Sequence, residues 1–392
     1  MKKRLLFFIP TLGGGGAEKG LVTLLSLLDR SKYGIELLTL FKGGVNSGYL
    51  KPDIKHRYVF PFPFKGYTLL LKMLSPALLC RCLVRRRCDV LIAYIEGIPT
   101  RVFGGCPDPA VKKIAWIQAE MDPVEEFYRP FRSRDEFLRS YRAFDRVIGV
   151  ANSVVRCFIA KTKLDDLDFA VFPNVIDVQS IQNRSNESIT DIAFPPETFI
   201  LCAVGRLAYA KGFDRLLAVV RRLKNDCLPV RFHLYIYGAG ELEGMLKKYI
   251  RDNQLHRTVT LAGYKDNPYK YVKRADLFVG SSYTEGLSNA VFESVIVGTP
   301  VITTRCSGME EILGDDKFGM IVENNEDALY DGLRSLLMNR GKVEQYRRHA
   351  AEGKKMPDTR KDVLAIENLL DSLTGPTVQS QLSNFESEDS QG

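Results

Sequence analysis

Along this chain, short and nearly continuous apolar runs alternate with longer stretches in which apolar residues recur every three or four positions. An unbroken apolar run marks a strand buried on both faces, as parallel sheets require, and the 3.6-residue period marks a crossover helix. In the first half LLFFI (5–9), GIELLTLF (34–41), DVLIAY (89–94), KKIAWI (112–117) and DRVIGV (145–150) read as strands. Between Pro173 and Pro196 the pattern lapses and Pro, Asn and Ser accumulate, which marks a linker, set at 179–197. A second series follows: FILCAVG (199–205), VRFHLYIYG (230–238), VTLAG (259–263), ADLFVGSS (275–282), PVITT (300–304) and FGMIV (318–322).

Alternation of this kind predicts an α/β protein with two doubly wound, Rossmann-like domains facing across a cleft, residues 1–178 and 198–356. The length of 392 residues suits that division. An amphipathic segment at about 357–373 is expected to be able to pack back on the first domain. The tail 375–392 has the composition of disorder.

Composition narrows the function by exclusion. The eight Cys are scattered, and Cys80, Cys82 and Cys88 lack the C-x2-C pairs of a zinc site. Of the four His (His56, His233, His256, His349) no two are close, so neither a histidine metal centre nor a Ser-His-Asp triad has material. His233 and Trp116 fall inside strand patterns and read as packing. A reduced, cytoplasmic protein is expected. The opening MKKRLLFFIP stops at Pro10, too early for a signal peptide, and no run of 18 apolar residues is present to span a membrane.

Charge is uneven. The net charge is +8, yet the first hundred residues hold 16 Lys and Arg against 6 Asp and Glu. Within 51–88 nine basic residues face one acid, Asp53, interleaved with FPFPFKGYTLLLKMLSPALLC. That mixture suits an interfacial element on an anionic membrane surface, and equally a basic helix covering its own domain. A nucleic-acid-binding protein is the rival from a different class, but no aromatic stacking platform or recognition-helix motif accompanies the charge, so no nucleic acid is expected as partner.

The chemistry concentrates in SSYTEGLSNAVFES (281–294), where Glu285 and Glu293 stand eight positions apart across a glycine turn. Spacing alone is not specific, since Glu344 and Glu352 repeat it in a charged helical stretch. Context supplies the specificity. ADLFVGSS ends a strand, and the following helix is capped at Ser288, so backbone N–H groups near 286–290 point toward the cleft and favour an anion or hydroxyl. In open α/β sheets this is where ligands bind. VGRLAYAKGFDR puts Arg206 and Lys211 on the neighbouring loop, and two cations beside a helix N-terminus describe a diphosphate site. A carboxylate can accept from vicinal hydroxyls, so Glu285 and Glu293 suit the sugar and ribose ends of an elongated ligand. The GGGG run is not a phosphate loop, because Leu21 follows Gly20, and YGAGELEG misses the dinucleotide fingerprint by one residue. Glu96, Glu120 and Asp122 stand at strand ends where they can face an acceptor or be surface charge.

Taken together, IPTLGGGGAEK, PNVIDV, GRLAYAKGFDRLL, YGAGEL and LAGYKDNPYKYVKRADLFVGSSYTEGLSNAVFESVIVGTPVITTRCSG resemble glycosyltransferase family 4, retaining enzymes of the GT-B fold. The resemblance covers nearly the whole chain outside the tail. It implies that Arg206 and Lys211 hold the donor diphosphate, that Glu293 takes the ribose and that Glu285 lies at the donor sugar, these first two and Glu285 being the catalytic set. Donor contacts are implied for Gly205, for Gly286, Leu287, Ser288 and Asn289, for Tyr264 at the base, and for Gly14 and Gly15 where backbone must approach closely. Many members carry His where this chain has Gln118, after the WI of KKIAWI. An amide donates and accepts but does not titrate, so Gln118 is expected to orient the sugar without moving protons. The implied reaction moves a sugar from a nucleotide sugar, by family frequency UDP-linked, to a lipid-linked or saccharide acceptor at the inner face of the cell membrane. No metal and no cofactor are expected, because Arg206 and Lys211 supply the charge. A nucleotide-sugar epimerase of the same architecture is the nearer alternative, and the E-G-L-S turn with its second Glu favours transfer.

Overall fold

The computed structural model describes residues 2–314, 317–352 and 358–375. Thirteen strands form two sheets among these residues, and every pairing is parallel. The first sheet contains β1 (Lys3–Ile9), β2 (Tyr33–Phe41), β3 (Lys55–Phe60), β4 (Val90–Ala93), β5 (Lys112–Ile117), β6 (Arg146–Gly149) and β7 (Phe169–Val171) in the order β3-β2-β1-β4-β5-β6-β7. The second contains β8 (Phe199–Val204), β9 (Phe232–Tyr237), β10 (Val259–Gly263), β11 (Leu277–Gly280), β12 (Val301–Thr304) and β13 (Gly319–Val322) in the order β10-β9-β8-β11-β12-β13.

Central strands are apolar because both faces are covered. Leu5, Leu6, Phe7, Phe8 and Ile9 are all buried, and Phe7 sits in register with Leu37 on one side and Ile92 on the other. The helix Phe213–Asn225 shows the complementary pattern, burying Phe213, Leu216, Leu217, Val220 and Leu223 at helical spacing while Arg222 pairs outside with Glu326 and Asp327. Each such side chain withdrawn from water contributes about 1.5 to 3 kcal/mol. The winding reverses between β1 and β4 in one sheet and between β8 and β11 in the other. The loops after β1, β8 and β11 therefore open at the two positions where such sheets bind ligands.

Three parts of the chain differ from the sequence reading. Residues 51–88, read as a basic and apolar interfacial element without assigned strands, hold the edge strand β3 and two helices, Tyr67–Met73 and Pro76–Leu83. The segment read as linker contains a helix, Val178–Ser185, capped by Asp177, and its Ile181 packs with Tyr269 and Ile296. The short β7 closes the first sheet. The C-terminal helix Thr359–Thr374 lies on the first sheet's unit: Asp371 pairs with Lys3 at 2.8 Å and accepts from the Tyr33 hydroxyl, and Glu367 accepts from the Asp29 N–H. The expected boundary at 356 and the tail from 376 onward lie outside the described residues.

Candidate active site in the cleft

The second unit builds its half of the site by locking two loops together. After β8 the chain turns through Tyr209–Lys211 into Gly212, whose φ of +59° suits glycine. A Cβ there would stand 2.0 Å from the Ser281 carbonyl oxygen, so glycine also permits the close approach of the loop after β11. Ser281 Oγ donates to the Lys211 carbonyl at 2.9 Å, and the Tyr283 N–H donates to the Ala210 carbonyl at 2.8 Å. From beneath, buried Arg215 donates to the carbonyls of Ser281 at 2.6 Å and Ser282 at 2.8 Å, which ties the peptide bonds that lead to Glu285. Arg215 carried no motif, and only its tertiary setting reveals it.

The result is a defined ion pair. Lys211 Nζ lies 2.5 Å from Glu285 Oε1, and Ser282 Oγ donates to the same oxygen at 2.7 Å. The helix Asn289–Ile296 starts immediately beyond, with Ser288 as its N-cap in extended backbone, and its first N–H groups have no intrahelical partner. Glu293, one turn further, is buried. Arg206 leaves the loop beside Gly205 exposed, and among the described residues its side chain makes no ion pair or hydrogen bond, with Lys211, Glu285 or any other group. Gly205 itself packs against the Lys211 stem, 3.6 Å from where a Cβ would sit.

The first unit meets this surface with backbone. Asn289 Nδ2 donates to the Gly16 carbonyl at 2.9 Å, at the start of the helix Gly16–Leu27. A Cβ on Gly286 would stand 2.0 Å from the Gln118 carbonyl oxygen, so the E-G-L-S turn touches the end of β5 directly. Leu287 is buried beneath Gly308, whose φ of +78° brings it against the Gly286 carbonyl. Gly15 is wrapped around the Glu18 carboxylate, and Gly14 faces Val45 and the ring of Tyr264, which is half exposed. The structure thus brings together Gly14, Gly15, Gln118, Lys211, Glu285, Gly286, Leu287, Ser288 and Asn289.

Gln118 is buried, and its carbonyl Oε1 accepts from Asn174 Nδ2 at 3.0 Å, while Asn174 Oδ1 accepts from the Tyr94 hydroxyl at 3.2 Å. That chain of bonds leaves the Gln118 amide nitrogen as a donor without a hydrogen-bond partner; it lies beside the Tyr94 hydroxyl but outside bonding geometry. Glu96 lies under the same loop and accepts from the Gln118 N–H at 3.0 Å. Burial pushes its carboxyl up to about 7, against the pull of the backbone donors from Gln118 and Ala119. Glu120 contributes negative charge around the Cys306 thiol, which burial and the nearby Glu285 push up to about 12. Asp122, by contrast, pairs with Lys161 at 2.9 Å on the surface. Lys19 was not anticipated: it crosses from the first unit to Glu293 and Tyr269. Nothing in the local sequence says that this helix face meets the other unit.

With the geometry in place, comparison with known proteins is informative. Residues 185–356 match the family model described as glycosyl transferases group 1. The chain is 28% identical over 355 residues, 86% of its length and 90% of the relative's, to N-acetylgalactosamine-N,N'-diacetylbacillosaminyl-diphospho-undecaprenol 4-alpha-N-acetylgalactosaminyltransferase of Campylobacter jejuni. It is 22% identical over 323 residues, covering 79% of this chain and 81% of the other, to UDP-Gal:alpha-D-GlcNAc-diphosphoundecaprenol alpha-1,3-galactosyltransferase of Escherichia coli. Among solved structures, Anabaena HepE in complex with UDP and glucose superposes with a TM-score of 0.71 at 16% identity, covering 94% of this chain and all of that one. The fold is therefore the GT-B architecture of glycosyltransferases. Both of these relatives are, by name, glycosyltransferases that act on diphospho-undecaprenol-linked sugars.

Proposed function

We propose that this chain is a retaining, metal-independent glycosyltransferase that moves a sugar from a UDP-linked donor to a lipid-linked or saccharide acceptor in surface-polysaccharide or glycolipid synthesis. The observation that carries the reading is the Lys211–Glu285 pair at the mouth of the helix Asn289–Ile296, facing the glycine loop of the opposite unit. In the proposed complex the donor diphosphate lies between Arg206, Lys211 and the free N–H groups of residues 286–289. Glu293 accepts from the ribose, the base meets Tyr264, and Glu285 and Gln118 orient the sugar. The bond from the anomeric carbon to the phosphate oxygen breaks as the acceptor oxygen attacks the same face. The departing phosphate takes the acceptor proton, and the two cations stabilise the charge that develops on it.

The acceptor side points to a membrane. Phe62, Leu69 and Met73 are 65, 68 and 73% exposed on β3's flank and the helix Tyr67–Met73, and Lys65, Lys72 and Arg81 neighbour them in sequence. Exposed apolar side chains with cations close by in sequence fit an anionic bilayer surface, with about 1 kcal/mol contributed by each charge near it. No helix among the described residues is long and apolar enough to cross a membrane. The proposal places the protein at the inner face of the cell membrane, attached peripherally, with residues 1–178 holding the acceptor and 198–356 the donor.

The first test is a screen of UDP, GDP, ADP and dTDP for thermal stabilisation. A ligand at 100 times its Kd adds about 2.7 kcal/mol. UDP is expected to raise the melting temperature, and silence from all four nucleotides overturns the proposal.

A further inference from the structure

Lys19 sits in the first turn of the helix Gly16–Leu27, immediately after the glycine loop, and its side chain leaves its own unit. Its Nζ lies 2.5 Å from Glu293 Oε1, contacts the Tyr269 hydroxyl and stands 4.6 Å above the Tyr269 ring. Those partners use two of its three donors. The Lys19 side chain is still 39% exposed where that of Glu293 is 11%, so the pair is not sealed from solvent on the Lys19 side.

The charge in the crevice gives this position its meaning. Of the two cations assigned to the diphosphate in the second unit, Lys211 is already held by Glu285, while Arg206 has no carboxylate partner among the described residues. A nucleoside diphosphate carries at least two negative charges, and one uncommitted guanidinium does not balance them. Glu293 has a second oxygen with which to accept from a ribose while Lys19 stays on the first. An ammonium on that carboxylate stands next to any ribose bound there, within reach of the phosphate that follows.

We propose that Lys19 is a donor-contacting residue supplied by the first unit, binding the nucleotide's diphosphate from across the cleft while it remains paired with Glu293. This rests on the nucleotide-sugar reading above. It carries a consequence for specificity: nucleotide affinity depends on the apposition of the two units, because one anion is then held by cations from both.

The test uses the full chain and the variants Lys19→Met, which keeps the stem and removes the charge, and Lys19→Arg, which keeps the charge; Lys19→Gln serves if the Met variant folds poorly. Each is titrated with UDP, GDP, ADP and dTDP by calorimetry and with the corresponding nucleosides by NMR. Loss of a hydrogen bond to a charged group predicts that Lys19→Met weakens whichever diphosphate the wild type binds by about tenfold or more. The nucleoside is expected to bind the variant and the wild type equally, and Lys19→Arg to restore diphosphate affinity. Equal weakening of nucleoside and diphosphate would make Lys19 a mere tie between units and overturn the inference. Tighter diphosphate binding by Lys19→Met would do the same, because the Lys19–Glu293 pair would then be blocking the site. A wild type that binds none of the four diphosphates sinks the underlying reading instead, and this inference with it.

Discussion

The two units are wound alike, but they hold their cleft loops in different ways. In the second, the loops after β8 and β11 are fastened to each other: Arg215 reaches the Ser281 and Ser282 carbonyls, Gly212 packs on Ser281, and Lys211 meets Glu285. In the first, the glycine loop is held by a few side chains, with Asn46 donating to the Gly13 carbonyl and Glu18 folded against Gly15, and then by the opposite unit through Asn289. Its outer flank leaves Leu69 and Met73 uncovered. One half has its cleft loops fastened internally and the other leaves apolar side chains uncovered. On the proposed function, the contrast suits a small, invariant donor on one side and a large acceptor on the other.

The strongest way to break this comparison is to remove a charge from the fastened half. Arg206→Ala is expected to cut kcat/KM about a hundredfold to a thousandfold, the usual loss when a group that stabilises transition-state charge is removed. Because Arg206 is exposed and unpaired, its melting temperature should stay at the wild-type value. Wild-type turnover in that variant would remove Arg206 from the site.

The half with uncovered apolar side chains is tested by the double variant Leu69→Ser and Met73→Ser. Burying such side chains in a bilayer is worth about 1.5 kcal/mol or more each, so binding to anionic vesicles should fall at least about tenfold in a sedimentation assay. Activity on a water-soluble acceptor should not change, and a parallel loss there would mean that the patch is part of the fold's own packing.

Where the halves meet, Gln118→His sharpens the picture with a smaller effect. A neutral imidazole can accept from Asn174 Nδ2 on one nitrogen and donate from the other, so activity should remain within about tenfold of wild type, while Gln118→Ala loses more. Normal donor binding with no turnover in the His variant would contradict the positioning role.

The smallest effect concerns Glu96. Its folded carboxyl titrates at about 7, above the ordinary 4.5, so the folded state binds its proton more tightly than the unfolded state. Its contribution to stability is complete below pH 4.5 and declines as the pH rises to 7. Glu96→Gln has no proton to release, so its melting temperature should decline less than wild type over that window. Identical pH profiles would show that the carboxyl is not held protonated in the fold.

Much of this was legible in the sequence because the central strands are covered on both faces and therefore read as apolar runs. The loops that carry the candidate residues were legible too: Lys211 and Glu285, read from the ends of two neighbouring strands, do meet, and Glu293 does fall in the helix that follows the turn. The elements that escaped notice do so for physical reasons. KHRYVF forms β3 at a sheet edge, where no side chain is fully buried and basic residues interrupt the apolar pattern. FAV, in β7, is three residues long and partly exposed. VQSIQNRS has one strongly buried apolar residue, Ile181, so its helix depends on the Asp177 cap and on packing against Tyr269. Lys19 and Arg215 act through contacts hundreds or tens of residues away, and nothing in local spacing encodes which face of a helix meets a distant chain segment.

The most direct test of the central claim is a crystal structure of the full chain soaked with the nucleoside diphosphate that stabilises it. The account predicts density for the two phosphates within hydrogen-bonding distance of the Arg206 guanidinium, the Lys211 ammonium and the amides of residues 286–289, with the ribose on Glu293. Ordered nucleotide bound elsewhere, with only solvent between Arg206 and Lys211, would contradict it.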